Sequence, residues 1–174
     1  MKKLLKLFAI IFVFIYTTTI VNAQDKDAKA TKIAQVSYLI KSADYTFVAN
    51  SMSPQRGGMR SLNGAVYNLN ITKDKITATL PYVGNMYSAP SLNENDNGIL
   101  LNCSDFVYNV KVNKKGNWDI SIKPNTQGPT GTANINTMRL SVYADGYASL
   151  MVRCNDREPI SFDGYIEPRV TNNQ

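Results

Sequence analysis

At 174 residues the chain has the length of one domain with a real hydrophobic core, needing neither a metal nor many disulfides to hold it. It contains no histidine and only two cysteines, which excludes the serine–histidine and cysteine–histidine nucleophile systems and removes the commonest zinc ligand. The net charge of +6 is inflated by Lys2, Lys3 and Lys6; residues 24–174 alone carry 16 basic and 13 acidic side chains, a net of +3 with no dense basic run, and this argues against a nucleic-acid partner.

The first 23 residues, MKKLLKLFAIIFVFIYTTTIVNA, read as an export signal. Three lysines precede an apolar run from Leu7 to Tyr16, and Val21 and Ala23 supply the small residues of a cleavage site, so the mature chain is expected to begin at Gln24. The apolar run is short for a bilayer span and no second one follows, so no transmembrane segment is expected in the mature chain. The expected location is periplasmic or extracellular. No cysteine follows the cleavage site directly, which disfavours a lipid anchor.

From Asp25 to Ser42, Ile33, Val36, Leu39 and Ile40 recur at three- and four-residue spacing, with acids early and Lys41 late; this predicts a helix over about 25–42. Everything after it alternates with period two and is broken by Gly, Asn, Asp and Pro, as in many short antiparallel strands. The strands expected in order are Tyr45–Ser53, Ala65–Thr72, a partner opening at Ile76 after the Lys73-Asp74 reversal, Ile99–Cys103, and Phe106–Val112. After the Asn113–Asn117 turn come a strand through Trp118, Ile120 and Ile122, then Ile135–Tyr143, Tyr147–Cys154 and Ile160–Ile166. Asp145-Gly146 is the strongest hairpin signal in the chain. Eight or nine strands with short sequential connections predict an all-β, antiparallel, up-and-down barrel of residues 24–174 with one N-terminal helix covering an end or packing across the wall. Asn68, Asn70, Thr77, Thr79, Asn109, Lys111, Ser121 and Lys123 fall on the alternate faces, so the outside should be wet, unlike that of an outer-membrane barrel.

Three stretches carry a family resemblance: LPYVGNMYSAP (Leu80 to Pro90), NGILL (Asn97 to Leu101) and DGYASLMVRCNDREPISFDGYI (Asp145 to Ile166). They resemble an uncharacterised family of short exported proteins of Bacteroidetes-type bacteria, numbered four-two-five-one among the domains of unknown function. The likeness runs over nearly the whole chain. It implies a lipocalin-like (calycin-like) barrel with a helix at its start, and it implies no activity. Where similar proteins carry an aromatic after LPY, this chain has Val83.

The Pro81–Gly98 loop is long for a hairpin connection and brings Tyr82, Met86, Tyr87 and Leu92 to a barrel mouth, where such side chains either hold a flat apolar ligand or cap the core. In Asn93–Gly98, NENDNG imitates the start of a calcium loop, yet Ser104 stands where the bidentate glutamate belongs, so no metal is expected. Asp156, Glu158 and Asp163 follow no spacing that sets a glycosidase pair, and Arg157 reads as a clamp between the last strands. Cys103 and Cys154 either form one bridge or stay buried as thiols. An enzyme or a cofactor is not expected. Two functions remain: a module binding a small apolar or amphipathic ligand, or a cell-envelope interaction or scaffold domain with a protein partner and a filled barrel.

Overall fold

The computed structural model describes residues 27–62, 66–87, 98–125 and 134–170. Helix α1 covers residues 27–42, and its stripe of Val36, Leu39 and Ile40 is buried, with Ile33 packed at the margin of the core. It stops where Ala43 turns into the left-handed region at φ 48° and donates its N–H to the Ile40 carbonyl. Ten strands follow among the described residues: β1 Tyr45–Pro54, β2 Arg60–Ser61, β3 Asn68–Ile71, β4 Ile76–Leu80, β5 Ile99–Cys103, β6 Phe106–Val112, β7 Trp118–Pro124, β8 Ile135–Val142, β9 Tyr147–Cys154 and β10 Ile160–Pro168.

Nine of the strands form one antiparallel sheet in the order β5-β4-β3-β1-β10-β9-β8-β7-β6, and β2 pairs with the second half of β1. Two features depart from a plain meander. The first long strand pairs with the last, over Tyr45↔Pro168 to Pro54↔Ile160. Consecutive β5 and β6, by contrast, are not bonded to each other and lie at opposite ends of the strand order. Only two residues, Ser104 and Asp105, join them. An extended chain from Cys103 to Phe106 reaches about 11 Å at most. A flat sheet would hold β5 and β6 eight interstrand spacings apart, roughly 38 Å. The sheet must therefore curl until its ends meet. The result is a nearly closed, nine-stranded barrel, with a seam between β5 and β6.

Period-two alternation does what the sequence implies. Phe47, Leu69, Ile71, Ile76, Ile122, Leu150 and Phe162 point inward and lose all contact with water, while Lys123, Asn136, Arg139 and Asp163 point out. The inward positions of β6 differ. Val110 and Val112 share a face with Tyr108, yet they are 40% and 64% exposed, although their partners Ile120 and Trp118 on β7 are buried. Exposure grows along β6 away from the Ser104-Asp105 turn, because there is no strand bonded on that side to cover it. β3 begins at Asn68, later than expected, though the Tyr67 carbonyl still accepts from Ala49 N at 2.9 Å. The expected strand start at 65 lies outside the described residues.

Helix α1 covers the barrel end that holds the β8–β9 turn. A Cβ built on Gly146 would lie 3.5 Å from Lys32 Cε and 3.6 Å from Val36 Cγ2. At the other join, β1 carries a bulge between Ala49 and Ser51 opposite Gly164. A Cβ at Gly164 would stand 1.9 Å from the Val48 carbonyl oxygen, so only glycine lets β1 and β10 come together there.

Gly164→Ala is expected to cost about 3 kcal/mol or prevent folding, because the clash is with backbone that cannot swing aside. Ser149→Ala on the outer face of β9 should stay within about 0.5 kcal/mol of the parent. Urea unfolding of both variants checks the contrast.

Candidate functional site

The β4–β5 loop and the β9–β10 loop meet over the barrel mouth opposite α1. Met86 and Arg157 form an isolated antiparallel bridge, flanked by Tyr87 N donating to the Asp156 carbonyl at 2.7 Å and Glu158 N donating to the Asn85 carbonyl at 3.0 Å. The buried Glu158 carboxylate closes the ring: Oε2 accepts from Asn85 N at 3.2 Å and Oε1 from Asn85 Nδ2 at 3.1 Å, with Arg56 Nε 3.7 Å away on the solvent side.

Arg157 is the centre of this latch. Its guanidinium, 5% exposed, donates from Nε and Nη2 to Asp156 Oδ2 at 3.3 and 3.0 Å, and from Nη1 to the Gly98 carbonyl at 3.1 Å. It also lies over the Tyr82 ring, 4.9 Å from guanidinium carbon to centroid. Gly98 opens β5, so one planar cation ties the last hairpin to the start of the strand that borders the seam. Asp156 in turn accepts from Asn134 N at 3.2 Å through its other oxygen. Arg157 is thus the clamp its residue type suggested, but the carbonyl it holds is that of Gly98, just before β5, rather than one between the last strands.

The aromatic residues of the loop separate. Tyr82 is half-buried, and its hydroxyl is shared between the carbonyls of Asn85 at 2.8 Å and Glu158 at 3.2 Å; burial raises its pKa. Met86 is half-buried in the bridge, while Tyr87 is 69% exposed. Leu92 and the NENDNG stretch before Gly98 lie outside the described residues. Of the expected site residues, Tyr82 and Met86 come together as parts of the latch, and Tyr87 joins it through its backbone N–H alone, its side chain facing solvent. Asn85 and Gly98 are latch members that sequence reasoning missed. The glycine that opens the strand was a signal, since a Cβ there would stand 2.9 Å from the Leu80 carbonyl.

The profile described as "Domain of unknown function (DUF4251)" matches residues 27–166. The chain belongs to this family. A crystal structure of a DUF4251 family protein from Bacteroides eggerthii is similar over 82% of this chain and 91% of that one, with a TM-score of 0.58 and 15% identity, a likeness of fold alone. No curated protein matches the chain.

The interior of this DUF4251 domain holds a pair of tyrosine hydroxyls. The hydroxyls of Tyr45 and Tyr108 stand 3.0 Å apart, linking β1 to β6 across the inside of the wall. Burial pushes both phenols up, Tyr45 the more strongly, with Tyr108 beside it adding to the shift. Cys103 and Cys154 lie on β5 and β9, which are not neighbours in the sheet, and their sulfurs are not joined. Burial, then Asp156, pushes the Cys154 thiol up to about 12. No group of three or more acidic or cysteine side chains fit to hold a metal ion occurs among the described residues, and no helix among them is long and apolar enough to cross a membrane.

Two outcomes follow. Arg157→Ala should lower stability by about 3 kcal/mol, since it leaves Asp156 and the Gly98 carbonyl without their cation, while Tyr82→Phe should cost about 1 kcal/mol; chemical unfolding separates them. Each raised pKa means that the folded chain keeps a proton the unfolded chain releases, so stability is whole below the ordinary values of 9.0 for the thiol and 10.0 for the phenols and falls as pH rises beyond them. Tyrosinate absorbance should show Tyr45 titrating only as the chain unfolds, and the stability deficit of Tyr45→Phe relative to the parent should shrink as pH rises through that window.

Proposed function

We propose that this DUF4251 protein is an exported scaffold domain of the cell envelope, a filled barrel that acts through its outer surface and performs no chemistry of its own. The observation that carries the reading is the state of the interior. Tyr45, Phe47, Leu69, Ile71, Ile76, Ile122, Met138, Leu140, Leu150 and Phe162 have no water-accessible area. A void wide enough for even one water molecule would appear as exposed surface on the side chains lining it. A barrel of this size has room for its own side chains or for one small ligand, and the burial of these residues supports the first.

The mouth supports the same reading. A ligand entering there would displace Tyr82 and Asn85 from Glu158 and pull Arg157 off the Gly98 carbonyl, leaving a buried guanidinium short of acceptors. Asp156 and Glu158, the acids of the latch, are already committed to Arg157, Asn134 and Asn85 and so are not poised as an acid and a base. Export is supported by the three lysines, apolar run and small residues of the first 23 positions.

Native mass spectrometry of protein recovered from the periplasm tests this. The expected spectrum is the chain from Gln24 alone, before and after incubation with a lipid extract. A stoichiometric apolar adduct, retained on purification, would overturn the scaffold reading in favour of a carrier.

A further inference from the structure

Three concavities on the outer surface run into one another. One of about 380 Å³ lies between α1 and the β8–β9 turn, with Lys29, Lys32 and Tyr143 on its walls. It shares Asn117 and Tyr143 with a second of about 430 Å³, which adds Lys114 and Lys115. The second shares Asp119 and Ser141 with a third of about 500 Å³, which ends between Lys111 and Arg139. The joined groove starts on the helix, bends over the barrel end and continues on the outer face of β6, β7 and β8.

Its charge is one-sided. Six cations line it against two acids, Asp119 and Asp145, while the whole chain has a net of only +6. Both acids already have donors. Asp119 accepts from Ser141 Oγ at 2.9 Å and Asn113 Nδ2 at 3.5 Å, and Asp145 from Tyr147 N at 3.1 Å. Lys111 stands across from Asp119 in the register without closing to ion-pair distance, and among the described residues none of the six cations makes an ion pair. Like charges gathered in a groove raise the local concentration of an anion. The Lys114-Lys115 corner is also fixed in place: Asn113 Oδ1 accepts from the N–H groups of Lys115 at 2.9 Å and Asn117 at 3.1 Å, and Gly116 takes φ 79°.

We propose that this groove binds an extended acidic polysaccharide, a partner class that rests on reading the domain as a scaffold. The shape disfavours a plane, because cations carried partly on the barrel end and partly on its outer wall cannot all meet one flat membrane. The composition favours sugar. Tyr143, 47% exposed at the middle of the path, offers a ring face, and the amides and hydroxyls of Asn117, Asn109 and Ser121 alternate with the cations as partners for sugar hydroxyls beside carboxylates.

Titration calorimetry of the mature chain with polygalacturonate and with heparin tests the proposal. Binding is expected at about 50 mM salt, weakening by about tenfold or more by about 200 mM as counterions compete. Lys114→Glu with Lys115→Glu should cut affinity at least about tenfold, and Tyr143→Ala several-fold without altering the salt slope. Lys73→Glu with Lys75→Glu, on the β3–β4 turn that does not line the groove, should leave affinity far less changed than the Lys114 and Lys115 reversal, and near-UV circular dichroism should show every variant folded. The proposal falls if neither polymer binds, if reversal at Lys114 and Lys115 leaves affinity intact, or if anionic phosphatidylglycerol vesicles or a single-stranded oligonucleotide bind more tightly than both polymers. An empty result with an interior free of ligand overturns this proposal alone, whereas a ligand inside the barrel overturns the scaffold reading whatever the polymers do.

Discussion

The pairing of β1 with β10 is the constraint on which everything else hangs. It joins the two ends of the chain's strand series, so the halves of the sheet become one wall, and it depends on a position where no side chain fits, Gly164 against the Val48 carbonyl. The bulge beside it at Ala49/Ser51 does a second job. Below the bulge β1 pairs with β3, and above it with β2, while the Asn50 carbonyl accepts from Leu62 N at 2.8 Å. A bend of this kind raises local twist, which a sheet needs in order to curl. With the two halves joined, the Ser104-Asp105 turn brings the remaining edges together because covalent reach leaves no alternative.

Closure through the first and last strands moves the seam to the middle of the chain. The two strands bordering it are then managed differently. β5 is short, and Ile99, Leu101 and Cys103 are buried, with Arg157 holding the Gly98 carbonyl at its entrance. β6 is held by Tyr108 reaching Tyr45 and by Asp105, which accepts from the Asn125 backbone and side chain at 2.9 and 2.8 Å. Beyond these ties its inner valines face water. Lys111 on the outer side of the same edge is a charge of the sort that discourages edge-to-edge association.

Much of this was legible in the sequence, because local rules and the final fold agree. The three- and four-residue spacing of Val36, Leu39 and Ile40 and the two-residue rhythm of the strands survive because one face of each element is buried, and Asp145-Gly146 turns where its backbone freedom allows. Arg157 was legible as a clamp because a planar guanidinium amid carboxylates has few other uses in a wall. What alternation cannot encode is which edges meet. It assigns Val110 and Val112 to the inside without saying that no strand will cover them. Nor could it separate Tyr82 from Tyr87: both are tyrosines of one loop, and only the register with Asp156 and Glu158 decides that one caps the core while the other faces water. The basic groove was hidden for a related reason. Its cations come from the helix, two strands of the wall and a turn, so no run of charge marks it along the chain.

The latch closes one end of the barrel and the groove starts at the other, and β9 measures the distance between those two ends. Tyr147 starts that strand beside the Tyr143–Gly146 turn, and Cys154 ends it two residues before Asp156. Seven steps of about 3.4 Å put the ends roughly 24 Å apart. At that separation charges at the two ends are screened by more than two Debye lengths at physiological salt, and the strands between them enclose a packed core. Binding in the groove therefore need not open the mouth, nor does holding the mouth shut restrict the groove. A rigid wall suits that division: its packed core supplies stiffness, one end ties Asn85 and Gly98 to the last hairpin, and the other carries the first cations of the groove on a helix and a hydrogen-bonded turn, so that little backbone order has to be created when an anion arrives.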